Sequence, residues 1–465
     1  MAQLRPHHAV SRFAANYGML GVLAVLCIYY ALATYEEQKP VGEDAARVLA
    51  RTLQKTAPAD AGVLIAAGTH EEDVLFAKSL AQRLEGSRLS VVAQVHGSPA
   101  EIRREIERAL QRGKPPQVIA VPKALQKVVG NIRDQIPALA DAQIAVPEEY
   151  WWPTFLKIDN LLVVTKGVVV IAVIAVGMTM VIITGGIDLS VGSLVALSSV
   201  LTAKLIVAAG GPEASVAAMI LCCLAAVAIC AGVGGFSGLM ITVFQIPPFI
   251  ATLAMMEVAR GLALRITRSQ SVSGLPDSFD WLGLDADLLG IPNAVILMVL
   301  IYLAAQFVMS RTRLGRHIYA VGGNREAARL SGIRVGRVLL LVYIVAGATA
   351  GLGGVIEASK FTSGDPKSGL MYELQVIAAV VVGGTSLSGG EGRILGTLIG
   401  AFIIAVIKNG MNLTNVESNT QRIVLGLAIL GAVLLDMLRK RGWCVEDLRN
   451  FLHWARQIPR KGAES

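Results

Sequence analysis

An aspartate, Asp188, stands between two apolar runs, 167–184 and 191–209, inside the stretch GGIDLSVGS at 185–193. A carboxylate at membrane depth costs about 2.5–3.5 kcal/mol on insertion scales, so it persists only where water, a helix end or a partner group meets it. Gly185 and Gly186 permit a tight backbone turn ahead of it. Asp188 and Ser190 are residue types that cap a following helix by accepting from its free N–H groups. Two readings stay open for Gly185, Gly186, Asp188, Ser190 and Gly192. One is a capped break between two membrane helices; the other is a broken helix lining a path through the membrane.

The second group is cationic. Residues 310–337 carry Arg311, Arg313, Arg316, Arg325, Arg329, Arg334 and Arg337 against one acid, Glu326. Inside this loop, 324–330 is a run of helix formers. Asn324 can cap it and Ser331-Gly332 can end it. The spacing predicts a short, rigid, basic helix. Charge bias alone needs no ordered helix, so this one reads as a docking element for a motor subunit; positive-inside charge without a partner is the plainer alternative. A third stretch, GGTSLSGGEGRILG at 383–396, repeats the spacing of the first: Gly-Gly, two residues, Leu-Ser, one residue, Gly.

No catalytic constellation accompanies these groups. His70 and His96 read as ordinary surface histidines. The five cysteines, Cys27, Cys222, Cys223, Cys230 and Cys444, show neither metal-ligand spacing nor a disulfide framework. SGGEG at 388–392 resembles a nucleotide-contacting signature but stands between apolar runs with no Walker lysine, so the chain is expected to bind no ATP itself. No metal and no nucleic-acid partner are expected.

Composition frames the elements that must hold these residues. With 54% hydrophobic and 16% charged residues, the chain reads as a polytopic membrane protein rather than a soluble domain. A helical crossing needs about 20 apolar residues. Candidate spans are 17–34, 163–184, 190–209, 215–235, 238–264 (kinked at Pro247-Pro248), 291–309, 337–357, 373–387, 395–409 and 421–437, with 236–250 ambiguous. Arg5 and Arg12, the arginine loop and Arg439-Lys440-Arg441 belong inside by the positive-inside rule; 269–290, with Asp277, Asp280, Asp285, Asp287 and no Lys or Arg, belongs outside. Ten spans with both ends inside satisfy all of these. The first span reads as a retained signal anchor, 1–35.

That topology places 36–157 outside. Apolar runs at 61–68, 89–95 and 116–122 alternate with amphipathic segments at 71–84 and 98–113. A weaker helix at 123–136 and a strand at 142–146 follow. The pattern predicts a small parallel sheet with helices on its faces. Trp151 and Trp152, just before the second span, suit an outer aromatic belt or a docking contact. The expected fold is thus an all-α polytopic membrane protein of about ten helices with an inserted periplasmic α/β domain. Its parts are 1–35, 36–157, a core at 158–438 and a basic tail at 439–465.

Several long motifs then carry a resemblance. They are TFLKIDNLL (154–162), IAVGMTMVIITGGIDLSVGSLVAL (174–197), IPPFIATLAMMEVARGLAL (246–264), VGGNREAARLSGI (321–333), ELQVIAAVVVGGTSLSGGEGRILGTLIGA (373–401) and NGMNL (409–413). In this order they are similar to the permease subunits of bacterial ABC sugar importers of the ribose, xylose and galactose type. The resemblance implies an inner-membrane homodimer, a cytoplasmic ATPase pair that uses ATP and magnesium, and a periplasmic sugar-binding protein. Carried over by position, Gly322, Gly323, Asn324, Glu326, Ala327, Ala328, Arg329, Leu330 and Gly332 form the segment that couples to the ATPase. The departure is 36–157, where such permeases have a short loop. It resembles one lobe of a sugar-binding protein. Docking of the binding protein, a partial receptor lobe and a stability insert compete for its role, and docking is favoured. Other classes that fit a polytopic chain are an ion-driven carrier, which needs membrane-depth charges such as Glu257, Arg260 and Glu357, and a sugar sensor, which needs an inner output domain.

Overall fold

The computed structural model describes residues 7–58, 60–285 and 290–440. Arg5, Asp287 and the tail from 441 lie outside them. Two compact units are present: Thr34–Thr154, and the segments flanking it. The flanking unit contributes α1 (His7–Ala33), whose apolar part is Gly18–Ala33.

The inserted unit runs β1 (Tyr35–Gln38), α2 (Gly42–Thr56), β2 (Gly62–Ala67), α3 (Glu71–Leu84), β3 (Ser90–His96), α4 (Pro99–Gln111), β4 (Val118–Ala120), α5 (Gln126–Asp134), β5 (Gln143–Ala145) and β6 (Tyr150–Pro153). Four strands pair in parallel in the order β3-β2-β4-β5. Alternate side chains of β2 enter different cores. Val63 and Ile65 pack with Leu49, Phe76 and Leu80 of α2 and α3. Leu64 and Ala66 pack with Ile102, Ile106 and Val129 of α4 and α5. Burial on both faces explains why 61–68 is apolar without alternation. β1 and β6 form an antiparallel ribbon, and the Thr154 N–H donates to the Thr34 carbonyl at 2.9 Å. The two ends of the unit therefore adjoin, as an inserted domain requires.

Helix α4 starts as its sequence predicts. The Ser98 N–H and hydroxyl donate to the Glu101 carboxylate at 2.7 and 2.9 Å. These bonds, the backbone one first, hold Glu101 below its ordinary value of 4.5. A lowered native value means the cap's contribution is complete above about pH 4.5 and is lost as pH falls through the native value. Amide exchange in the first turn of α4 is expected to quicken on that acid side, relative to intrinsic rates. Glu101→Gln should remove this dependence.

The membrane unit continues with α6 (Ile158–Ile183), α7 (Val191–Ala208), α8 (Val216–Thr242), α9 (Pro248–Thr267), α10 (Asn293–Arg311), α11 (Arg313–Gly323), α12 (Arg325–Leu330), α13 (Val335–Lys360), α14 (Tyr372–Val382), α15 (Ile394–Leu413) and α16 (Ser418–Lys440). Among the described residues, six helices are long and apolar enough to cross a membrane: α6, α7, α8, α10, α13 and α15. In lipid, helices associate by close packing, which favours small residues at the seam. Here α13 lies on α8 through Gly347, Gly351, Cys230 and Gly234. A Cβ at Gly351 would stand 3.1 Å from the Val227 Cα, and one at Gly234 would meet the Tyr343 carbonyl oxygen.

Two expected spans differ. The stretch 238–264 is not one kinked helix. α8 runs on to Thr242, Gln245 takes a left-handed conformation, and α9 starts afresh with Pro248 in its first turn. Proline at a helix start loses no hydrogen bond, whereas inside a helix it removes one, so Pro247-Pro248 breaks the run. The stretch 373–387 is helical only over Tyr372–Val382. Eleven residues rise about 16 Å, too little for a bilayer core of about 30 Å. Non-helical chain precedes it, as shown below.

Candidate functional site

The two glycine-rich stretches fold alike. At the end of α6 the Gly185 and Gly186 N–H groups donate to the Ile182 and Val181 carbonyls at 2.9 and 3.0 Å, with Gly185 at φ 73°. At the end of α14 the Gly384 and Thr385 N–H groups donate to the Val381 and Val380 carbonyls at 2.9 and 3.1 Å, with Gly384 at φ 89°. Both are the glycine stop that satisfies the last helical carbonyls. The likeness continues past the stop. The Ser190 N–H donates to Asp188 Oδ1 at 2.9 Å, and the Ser388 N–H donates to Ser386 Oγ at 3.1 Å, at matching positions. The two stretches thus share a glycine stop and a turn bond, but the stop falls on the first glycine of one pair, Gly185, and on the second of the other, Gly384.

Asp188 is fully buried. Its Oδ1 also accepts from the Ser190 hydroxyl at 2.6 Å. Among the described residues its Oδ2 has no partner, and neither does the buried Tyr343 hydroxyl. A Cβ at Gly186 would come within 2.5 Å of that hydroxyl, so the position needs glycine.

A third glycine pair joins the first two. At Gly322 a Cβ would overlap the Ile183 carbonyl oxygen and stand 2.7 Å from the Gly390 nitrogen. The Gly390 N–H donates to the Ile183 carbonyl at 2.8 Å. Arg325 Nη2 donates to the Thr184 carbonyl at 3.1 Å, and the Tyr319 hydroxyl donates to the Gly392 carbonyl at 2.8 Å. The last carbonyls of α6, which have no intrahelical partner, are thus taken by the arginine loop and by the second glycine loop.

The short helix α12 stands on this junction. Asn324 Oδ1 accepts from the Ala327 N–H at 2.9 Å, and the helix ends at Gly332, φ 82°, through the Ile333 N–H to Ala328 carbonyl bond of 3.0 Å. Ala328 faces inward. Glu326 and Arg329 pair at 2.9 Å on the exposed side. Leu330 is 83% exposed, an apolar side chain with nothing over it in the described chain.

Further along α7 the backbone is again broken. A Cβ at Gly364 would lie 2.6 Å from Ala203 Cβ, and one at Gly369 would lie 2.9 Å from Val195 Cβ and touch the Gly192 carbonyl. So 364–369 runs along α7 as a series of turns, non-helical chain at the depth of a spanning helix. Such backbone occurs at membrane depth only when buried in protein or lining a cavity. Arg260 of α9 steadies it, donating from Nη1 to the Pro366 and Ser368 carbonyls at 2.8 Å each, and from Nη2 to the Gly192 carbonyl at 3.4 Å. Among the described residues, no group of three or more His, Cys, Asp or Glu is placed to hold a metal.

Comparison with known proteins decides the family. Residues 159–433 match the family described as branched-chain amino acid transport system / permease component. The chain belongs to that permease family. It is similar to the ribose import permease of Escherichia coli K12, at 44% identity over 288 residues, 61% of this chain and 87% of that protein. The ribose import permease of Bacillus subtilis 168 is 47% identical over 285 residues, 61% of this chain and 86% of its own. The D-allose transport system permease of E. coli K12 is 39% identical over 285 residues, 61% and 85% respectively. No solved structure gives a significant match. The family match begins after the inserted unit, so Thr34–Thr154 lies outside it.

In this permease the sequence-derived residues fall in three places. Gly185, Gly186, Gly322 and Gly323 form the junction beside Asp188 and Ser190. Asn324, Glu326, Ala327, Ala328, Arg329, Leu330 and Gly332 build α12 and its stop. Gly192 lies apart, with Arg260 and Gly369. The sequence reading missed Arg325, Tyr319 and Gly390, whose partners are far along the chain, and Tyr343, whose hydroxyl faces Gly186. The doubled GGxxLSxG spacing pointed to Gly390; nothing local marked Arg325 among seven arginines.

Proposed function

We propose that this chain is the membrane-spanning subunit of an ATP-driven importer that carries a monosaccharide of the ribose, xylose or galactose type into the cytoplasm. The support is the family match, the similarity to ribose and allose permeases, and one structural observation. The exposed helix α12 is bonded through Arg325 to the Thr184 carbonyl at the end of α6, and the neighbouring Gly322 packs against the Ile183 carbonyl and the Gly390 nitrogen of the second glycine loop. A motor pressing on Leu330, Glu326 and Arg329 therefore acts on the Asp188 loop and on the 383–393 loop together. A ligand or motor shifts a two-state element only by differential binding; here ATP binding by the partner favours one position of α12 over another.

In this reading two copies form a sugar path, an ATPase pair docks at α12, and a periplasmic binding protein delivers the sugar. The chain performs no covalent chemistry; ATP and magnesium are used by the ATPase. It lies in the bacterial inner membrane with ten crossings and both ends cytoplasmic, α14 and the non-helical 364–371 together making one of them. The inserted unit is then periplasmic and serves as a docking surface for the binding protein. Its adjoining ends allow it to leave and rejoin the membrane unit at one place.

Glu326→Arg tests the coupling role. It turns the Arg329 pair into a repulsion on an exposed face, so the fold is kept. In vesicles holding the ATPase and binding protein, uptake per ATP hydrolysed is expected to fall by about tenfold, within the range of typical coupling energies between sites, with insertion unchanged. Unaltered uptake per ATP would remove α12 from the coupling path.

A further inference from the structure

We infer that Glu257, Glu373 and Arg260 form a station inside the membrane that holds the hydroxyl groups of the passing sugar. This rests on the transport reading above and places the sugar within this chain. Glu257 is the tenth of the twenty residues of α9 and is exposed. A carboxylate cannot face lipid at that depth without a large penalty, so this side of α9 faces water or a second protein surface. One turn on, Arg260 is fixed by its three carbonyl bonds, and its plane cannot swing freely. Glu373, in the first turn of α14, rests against Gly192, where any Cβ would strike its carboxylate.

Arg260 bonds the Gly192 carbonyl beside the Glu373 carboxylate and lies one turn from Glu257, yet among the described residues neither carboxylate closes an ion pair with it. Two acceptor-only carboxylates with spare lone pairs, flanking an oriented guanidinium, match a neutral polyol. Each carboxylate accepts hydroxyl protons and the guanidinium donates to a hydroxyl oxygen. The broken backbone of 364–371 beside them is the arrangement that transport proteins use at midplane sites. An anion would meet two negative groups. A cation would fit the charge, and would make the chain an ion-driven carrier.

The test uses the whole assembly in vesicles: this chain, its ATPase and its binding protein, with D-ribose, D-allose, D-xylose and D-galactose as probes. Glu257→Gln and Glu373→Gln are each expected to lower uptake per ATP hydrolysed by about tenfold, the effect of losing one or two polar ligand contacts. ATPase stimulation by the loaded binding protein should persist, and Glu257→Asp should recover part of the loss. A purely structural role would lower uptake, ATPase rate and folded yield together. Glu257→Cys, with the other cysteines replaced, should react with a charged thiol reagent and be protected by sugar during turnover. Unchanged uptake per ATP, or a thiol that never reacts because a second copy seals the face, overturns the station. Uptake driven by a sodium or proton gradient without ATP overturns it in favour of an ion site. If the unaltered assembly imports none of the four sugars, the transport reading itself fails.

Discussion

Gly322→Ala is expected to abolish sugar uptake and lower the folded yield, while Gly323→Ala one position later should leave both near the unaltered level. The first substitution drives a Cβ into the Ile183 carbonyl oxygen and to within 2.7 Å of the Gly390 nitrogen. Both obstacles are backbone, so no rotamer relieves the clash. Overpacking costs about 1–3 kcal/mol where side chains can shift, and more where the backbone must move. The Gly390 N–H to Ile183 carbonyl bond lies in the same contact and is pried apart with it. At Gly323 nothing stands within 4 Å of the added carbon. Thermal midpoints in detergent and uptake in vesicles check the pair. Equal behaviour of the two variants would show that the three-glycine junction is not as close as described.

Asp188→Ala should be nearly as damaging, and Asp188→Asn much less so. Asp188 Oδ1 accepts both the N–H and the hydroxyl of Ser190 in a fully buried loop. Alanine leaves the two donors without a partner, and each unsatisfied buried group costs about 1–3 kcal/mol. Asparagine keeps the acceptor and so keeps the turn. Uptake and midpoint should fall together for alanine and hold for asparagine. If asparagine folds normally yet abolishes uptake, the negative charge itself serves transport, and the path-lining reading of Asp188 gains over a role in holding the turn before α7.

The inserted unit was legible because its signals are local. Apolar runs of strand length, the Ser98 cap and amphipathic helices at 71–84 and 98–113 specify each element without reference to the rest. The membrane unit was legible in its long helices, and less so where depth is covered by non-helical chain. Nothing in 364–371 looks like a membrane segment: Asp365, Pro366 and Lys367 read as an outer loop. It lies at that depth because Arg260, over a hundred residues away, supplies donors for its carbonyls. The same holds for the site. Asp188 and α12 announced themselves by residue type and spacing. Arg325 and Tyr319 did not, because their importance lies in which carbonyl they reach across the fold.

The most direct test of the central claim is purification of the chain from its native membranes, followed by ATPase measurement with and without sugar and any binding protein that accompanies it. The account predicts a co-purifying ATPase subunit whose activity rises with the sugar-loaded binding protein. It also predicts that the Leu330 face of α12 cross-links to that ATPase. A chain that purifies alone and binds sugar through Thr34–Thr154 would contradict it, and α12 would lose its role as the coupling element.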